Sequence, residues 1–402
     1  MRLVNMSPGH DHHSHVSLYA SLQGVADISS MQASEALGFL SACPGDRLTL
    51  VIGWRSERLP LPSSVLAGLP PLVVVNFSLH GCAVTPSAMP YISALWPEFA
   101  DHAHDAAWAE FNLPELFAFY SRIAGLDQAK LASYMEGLER AGIDSVEDMI
   151  CCGAGALEVI RRSPYAGRVA SWATPKGFAD LGVADRKEIR GIKLFMDGAL
   201  GARSAAVEPA FLDGCRGKLL HDPSSLDKLL ADLAPHHKPL AVHAIGSRAV
   251  DQILDALDRM GSKGVDFPAI RLEHVQFITQ NQALRAREKG IVLSMQPNFN
   301  SDSLDYRDRL PESLLAANDP FRMLIDEAGF RPGVDLIFGS DGMPHGLEYA
   351  LQWSLFPHYP GQELSVEELA AGYRAQAGAG RDLIFEVDEV RRTVRALPHD
   401  RP

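Results

Sequence analysis

Short apolar runs recur along the chain, separated by segments in which apolar residues return every three to four positions. Short apolar runs are typical of buried strands, and apolar residues spaced three to four positions apart are typical of amphipathic helices. Their alternation predicts βαβ units and a parallel sheet. From residue 189 onward the runs are mostly apolar, which indicates strands covered on both faces, as in a barrel or a doubly wound sheet. The clearest strand candidates are Leu48–Ile52, Leu72–Phe77, Ile189–Met196, Leu240–Ala244, Ile270–Val275, Ile291–Met295 and Leu336–Gly339.

Segments with helical periodicity lie between these runs, and one long segment interrupts the alternation. Residues 85–138 are rich in aromatic residues and helix formers and contain no convincing strand, so we predict a helical insertion there. After Leu364 the sequence SVEELAAGYRAQAGA predicts a helix, and RDLIFEVDEVRRTVRAL predicts a strand-like tail. Residues 1–380 are therefore expected to form one domain with an insertion, followed by a tail of residues 381–402. The predicted helices include Leu226–Leu233, Ala249–Arg259, Gln280–Lys289 and Pro320–Ala328.

Composition and charge narrow the classes of function. The 402 residues are 47% hydrophobic and carry a formal net charge of −13. An acidic chain without Lys/Arg-rich runs is not expected to bind nucleic acid or anionic membranes. Five cysteines without a CxxC pair argue against a disulfide framework and against a thiolate zinc site. With no apolar run of about 18 residues, the sequence predicts a cytoplasmic protein with reduced thiols.

Four histidines fall within six residues near the start of the chain, at positions 10, 12, 13 and 15. On an extended strand His13 and His15 point to the same side, so both imidazoles can reach one metal ion. His10 and His12 also point to a common side of the strand, so geometry alone does not decide which of the two pairs binds the metal. A solvated polar terminus or a fragment of a purification tag is the alternative interpretation.

Three further candidates each end an apolar run: His243, His274 and Asp341. Taken singly, each is more often a residue with ordinary hydrogen bonds or a helix cap. In a (β/α)8 barrel, however, the carboxyl ends of the strands form one ring, where residues distant in sequence converge. Lys193 lies in the middle of the apolar run GIKLFMDG, where a buried amine is costly unless it is paired or neutralised.

Six motifs then resemble one family in the same order along the chain. PGHDHHSH resembles the PGxxDxHxH opening of the amidohydrolase superfamily, shortened by one residue. KLFMDGALGARSAA is similar to the KxFxDGxLGxRTA segment of its subgroup 3, which includes N-substituted formamide deformylases. AVHAIGSRAV, RLEHVQ, SMQP and FGSDGMP resemble the later motifs HAIGDRA, R[IL]EHxQ, SxQP and GSDxP. The match covers residues 8 to about 346, and about 379 with the last predicted helix.

The resemblance implies an α/β fold, a (β/α)8 TIM barrel, with a divalent metal site at the strand ends. It implies one or two ions, with zinc as the expected metal, and carboxylation of Lys193 in a binuclear site. Asp341 is implied to contact the metal and to shuttle protons. Only seven residues precede Pro8, so the family's small β-sandwich is expected to be reduced or missing, and Ser247 replaces the usual Asp. The implied metal ligands are His13, His15, Lys193, His243, His274 and Asp341.

The implied activity is hydrolysis of a C–N bond in an amide, formamide or cyclic amide through a metal-bound hydroxide. The substrate is expected to be a small molecule. For the oligomeric state, the resemblance allows a homodimer. Arg203 is a candidate for binding an acyl or carboxylate group, His80 for stabilising an oxyanion, and Trp54 for lining a pocket. A deaminase on the same barrel and a non-catalytic binding protein are the alternatives, because the fold alone does not fix the reaction.

Overall fold

The computed structural model describes residues 1–342, 344–374 and 382–397. The chain divides into two compact units. The barrel unit comprises residues 1–16, 135–151 and 164–402, and the insertion unit comprises residues 17–134 and 152–163. Each unit is described separately below.

Eight strands of the barrel unit form one parallel sheet, in which each strand pairs with the next along the chain. A parallel bridge between Ser14 and Asp341 joins the first strand to the end of the last, which nearly closes the sheet into a barrel. This architecture confirms the predicted α/β barrel. The strands are β1 (Gly9–Ser14), β2 (Ile143–Asp148), β3 (Val169–Ala173), β4 (Gly191–Phe195), β5 (Leu240–Ala244), β6 (Ile270–His274), β7 (Val292–Met295) and β8 (Leu336–Phe338).

Helices separate the later barrel strands, as the periodicity predicted. The helix Ser247–Gly261 buries Val250, Ile253, Leu254 and Leu257, whose spacing places them on one face. The helix Gln280–Glu288 begins at a capping box, in which Thr279 and Gln282 satisfy each other's backbone N–H groups. The α-helices of this part of the chain are Pro175–Asp180, Val183–Glu188, Pro223–Leu233, Ser247–Gly261, Gln280–Glu288, Asp302–Asp305, Glu312–Ala317, Leu347–Leu355 and Val366–Gly372, with a π-helical turn at Met323–Glu327.

A small antiparallel sheet joins the beginning and the end of the described chain. Its strands are Arg2–Met6, Leu383–Asp388 and Thr393–Ala396, and the middle strand pairs with both others. Alternate residues such as Val4, Phe385 and Val387 are buried, as expected for a sheet with one covered face. The predicted sandwich is thus reduced to three strands in the described residues. The last predicted helix ends at Gly372, and the part of that segment from residue 375 to 379 lies outside the described residues.

The insertion unit contains a sheet as well as helices. Two apolar runs predicted as strands, observed at Thr49–Trp54 and Leu72–Asn76, belong to this four-stranded sheet and not to the barrel. A buried strand of any parallel sheet is apolar on both faces, so the pattern does not tell which sheet contains it. The other two strands are Ala26–Asp27 and Cys82–Val84. The α-helices between residues 16 and 161 are Val16–Ser21, Ala33–Ser41, Ser63–Leu66, Met89–Leu95, Pro97–His102, Ala106–Phe111, Leu113–Ala124, Gln128–Arg140 and Ala154–Arg161.

Among the described residues, no helix has both the length and the apolarity that crossing a membrane requires.

Candidate metal centre

The ends of β1 and β8 bring two histidines and an aspartate together. Nε2 of His15 lies 3.0 Å from Oδ1 of Asp341, and Nε2 of His13 lies 3.9 Å from the same oxygen. The Asp341 N–H donates a 2.6 Å hydrogen bond to the His13 carbonyl, which fixes the two strand ends against each other. One ligand atom from each of the three residues lies within 4.8 Å of the others. This spacing is small enough for one ion to contact all three.

The other predicted ligands lie beside this group. The ring centroids of His13 and His274 are 4.7 Å apart, and those of His274 and His243 are 4.6 Å apart. Nζ of Lys193 lies 3.5 Å from Nε2 of His13, and the lysine side chain has no exposed surface. The structure therefore brings all six predicted ligands together at one end of the barrel, as the ring of strand ends requires.

The hydrogen-bond partners of three imidazoles select one ring nitrogen for a metal. Nδ1 of His13 lies 2.6 Å from Oε2 of Glu273, and Nδ1 of His274 lies 2.7 Å from Oε1 of Gln296. Nε2 of His243 lies 3.1 Å from the carbonyl oxygen of Gly198. Each of these nitrogens faces an acceptor and carries the proton. The opposite ring nitrogen is therefore left with a lone pair, which is the usual arrangement of metal-binding histidines.

The protonation states of the cluster suit a cation. Burial lowers the pKa of His13 to about 4 and that of His274 to about 3, so both rings are neutral at pH 7. Burial also lowers the pKa of Lys193 to about 8. Burial alone would raise the pKa of Asp341, but His13 and His15 hold it well below its ordinary value. The centre thus offers neutral imidazoles and an ionised carboxylate, the donor types that zinc and similar ions bind.

Two strand ends that carry ligands leave the regular backbone conformation. His274 has φ of 70° and Asp341 has φ of 57°, in the left-handed region that non-glycine residues rarely adopt. Val275 follows with φ of 43°, which is more costly because valine is β-branched. Strain of this kind clusters at functional sites, where the surrounding structure fixes it.

A buried ion-pair network below the ligands was not predicted. Arg271 donates from Nε to Glu273 and from Nη1, at 3.0 Å, to Oε2 of Glu147. Because β6 and β2 are four strands apart, this connection crosses the barrel interior. Burial alone would raise the pKa of Glu273, but Arg271, His13 and Lys193 lower it below its ordinary range. A charged Glu273 therefore orients His13, and its position directly before His274 in RLEHVQ was the signal that could have found it.

Two other polar residues near the ligands were also missed. Asp197 accepts hydrogen bonds from the N–H groups of Ala206, Ile245 and Gly246 at 2.8–3.0 Å, and its Oδ1 lies 3.5 Å from Nε2 of His243. Its place in the motif KLFMDG was a sequence signal. Nε2 of His345 lies 3.2 Å from the Ser14 hydroxyl oxygen, and no sequence motif had indicated this residue.

The residues predicted as substrate contacts each have another partner in the structure. Arg203 lies in the loop after β4, with φ of 54°, and pairs with Asp213 at 3.5 Å. His80 belongs to the insertion unit, where its Nδ1 lies 3.3 Å from Oε2 of Glu110. Trp54 packs on the apolar core of that unit and donates a 2.8 Å hydrogen bond to the Leu59 carbonyl. Their roles toward a substrate stay predictions.

The fold and the cluster define a (β/α)8 barrel protein with a candidate metal centre at the carboxyl ends of its strands. The chain belongs to the amidohydrolase family, whose family model matches residues 128–375. This membership confirms the family that the six motifs indicated.

Two curated relatives and one solved structure are also similar to parts of this chain. The putative amidohydrolase YtcJ of Bacillus subtilis is 29% identical over 143 residues, 35% of this chain and 27% of that protein. Protein LONG AFTER FAR-RED 3 of Arabidopsis thaliana is 32% identical over 118 residues, 29% of this chain and 20% of that protein. The matches thus span about a quarter or less of the relatives' lengths. The structure of an uncharacterized metal-dependent hydrolase from Pyrococcus furiosus is similar in fold, with a TM-score of 0.67, 21% identity and coverage of 92% and 81% of the two chains.

Proposed function

We propose that this protein is a metal-dependent hydrolase that cleaves a C–N bond of a small amide, formamide or cyclic amide. The observation that carries the proposal is the set of imidazoles whose free nitrogens are selected by Glu273, Gln296 and the Gly198 carbonyl. Three such rings beside a buried lysine and an ionised aspartate form a ligand set.

The donor set fits a divalent ion, which we propose to be zinc, because zinc binds imidazole nitrogen and carboxylate oxygen well. His13, His15, His243, His274 and Asp341 would hold it, together with Lys193. When bound, such an ion lowers the pKa of a water molecule and polarises a carbonyl group.

Asp341 performs the proton transfer in this proposal. Its carboxylate is ionised, and the 3.0 Å contact with Nε2 of His15 positions one of its oxygens. An ionised carboxylate beside the attacking water can accept a proton and return it to the leaving nitrogen. Without that return the nitrogen would leave as an unstable anion, so the transfer is needed for C–N cleavage. Arg203 and His80 are proposed as substrate contacts.

We also propose that the Lys193 amine is carboxylated. The amine is fully buried beside His13, and its pKa of about 8 leaves more of it neutral and nucleophilic at neutral pH than an exposed lysine. Attack of Nζ on CO₂ releases a proton and gives a carbamate, whose oxygen atoms would add negatively charged ligands for a divalent ion. We expect ¹³C NMR of metal-loaded protein in ¹³C-bicarbonate to show a carbamate carbon that Lys193→Ala lacks and that the exposed control Lys228→Ala keeps. Wild-type protein loaded with metal but without this carbon would refute carboxylation.

The metal dependence is tested by removing two ligands. We expect His13→Ala/His15→Ala to lose one or two divalent ions per chain, measured by elemental analysis, and to lose hydrolysis of a panel of N-formyl amines, N-acyl amines and cyclic amides. The readout is release of amine or ring-opened product. A chelator should abolish wild-type turnover, and zinc should restore it.

The matched control is His104→Ala/His358→Ala, which changes two exposed histidines. It should keep the metal and the activity of the wild type. Full metal occupancy without hydrolysis of any C–N bond in the panel would contradict the proposed reaction. A wild type that takes up no metal at this centre would contradict the whole proposal.

A further inference from the structure

We propose that the chain has a second, separate site for a borderline divalent cation such as zinc, cobalt or nickel, formed by His10, His12 and Glu147. None of these residues belongs to the ligand set of the centre described above. His10 and His12 lie on β1 before His13, and Glu147 lies on the neighbouring strand β2. The site is therefore a feature of this chain's own histidine-rich opening.

The contacts converge on one oxygen. Nε2 of His10 lies 3.3 Å from Oε1 of Glu147, and Nδ1 of His12 lies 3.4 Å from the same oxygen. The two rings meet edge to face, with centroids 4.4 Å apart. One ligand atom from each residue lies within 4.8 Å of the others. Two imidazoles and one carboxylate form a common partial ligand set for zinc, with a solvent molecule as the fourth ligand.

The spacing of the donors matches the size of a tetrahedral site. Zinc–nitrogen bonds of about 2.0–2.1 Å place neighbouring ligand atoms of a tetrahedron roughly 3.3–3.4 Å apart. The two measured separations, 3.3 and 3.4 Å, have this length. An ion could thus bind with small movements of the three side chains.

The surroundings orient two of the three ligands, His10 and Glu147, toward the shared position. Nδ1 of His10 lies 2.7 Å from the Ser145 hydroxyl, which can accept a hydrogen bond from the Nδ1–H and leave the Nε2 lone pair facing Glu147. Oε2 of Glu147 accepts hydrogen bonds from Trp172 and Arg271, so Oε1 is left for the two histidines. With its proton on Nδ1, His10 presents a lone pair to the charged Glu147 oxygen, and a cation between the two would remove their repulsion.

Charge and access also favour a cation. Burial alone would raise the pKa of Glu147, but the neighbouring Arg271 guanidinium holds it well below its ordinary value. The carboxylate is therefore ionised. The side chains of His10 and His12 are 20% and 19% exposed, so an ion and its solvent ligand can enter. A hydrogen-bonded cluster in which both rings donate to Glu147 is the competing explanation of the same distances.

The experiment compares metal content between variants of the full chain. Wild type, His10→Gln and the exposed control His104→Gln are dialysed together against micromolar zinc, and the ions per chain are counted by elemental analysis. We expect His10→Gln to bind one ion fewer than the wild type and the control to match the wild type. In a cobalt titration, His10→Gln should lack one set of the visible absorption bands that the wild type and the control show. Equal metal content and equal cobalt spectra in all three proteins would overturn the site.

A measurement on the wild type keeps the test independent of the folding of a variant. Crystals grown with zinc should show an anomalous difference peak bounded by Nε2 of His10, Nδ1 of His12 and Oε1 of Glu147. A peak at the first metal centre without a peak at His10, His12 and Glu147 would refute this second site and leave the proposed function standing. A peak at His10, His12 and Glu147 without a peak at the first metal centre would support the second site and contradict the proposed function.

Discussion

Asp341→Asn is expected to lower kcat by about 10²–10⁴-fold, the usual contribution of a positioned acid–base group. The amide keeps the size and the oxygen acceptor of the side chain but has no basic carboxylate to take a proton. The imidazoles and Lys193 are unchanged, so the metal content should stay close to that of the wild type. The measurement is steady-state kinetics on the best substrate of the panel, with elemental analysis of the same samples.

The control for this substitution is Asp326→Asn, which removes an exposed carboxylate of the barrel unit. It should leave both kcat and metal content unchanged. Turnover by Asp341→Asn within a few-fold of the wild type would remove Asp341 from the proton transfer. A loss of metal in parallel with the loss of turnover would instead assign Asp341 mainly to metal binding.

Arg271→Met is expected to lower the free energy of unfolding by about 3–5 kcal/mol, the usual cost of removing one partner from a buried ion pair. The guanidinium contacts Glu273 and Glu147, which are both buried and ionised. Methionine fills part of the volume but leaves two carboxylates without their counter-ion in the barrel interior. Denaturant unfolding of the apo proteins, followed by circular dichroism, measures the difference.

Two further variants separate the charge effect from a packing effect. Arg331→Met removes an exposed arginine and should change stability by well under 1 kcal/mol. Arg271→Met/Glu147→Gln/Glu273→Gln removes the uncompensated charges and should recover most of the loss. A triple variant as unstable as Arg271→Met would show that packing around Arg271, and not charge, dominates.

The proposed ligands could be predicted because each lies in a short motif, and all but Lys193 lie at a strand end. His243, His274 and Asp341 follow apolar runs, and strand ends converge in any parallel barrel. Their hydrogen-bond partners were harder to predict, because these depend on which strands face each other across the interior. Arg271 and Glu147 are four strands apart, and no local pattern relates residues at that separation.

The insertion shows a second limit of the sequence pattern. The run that became Thr49–Trp54 is as apolar as a barrel strand, yet it pairs within a separate sheet. Apolar periodicity indicates that a strand is buried, but it does not indicate which strands pair with it. His80 follows a strand of that sheet, so its position after an apolar run did not place it in the unit that holds the ligands.

The place of the insertion also bears on the order in which the barrel can assemble. The chain leaves β1 at Ser14 and returns to the barrel at Ile143, and the other neighbour of β1 begins at Leu336. Both pairings of β1 therefore close far longer loops than the pairings among β2 to β8, and long closures are entropically costly and slow. We therefore expect β1 to pair last, so that His13 and His15 would complete the proposed ligand set only at that step. A bound ion would then select for the closed barrel over any partly assembled chain.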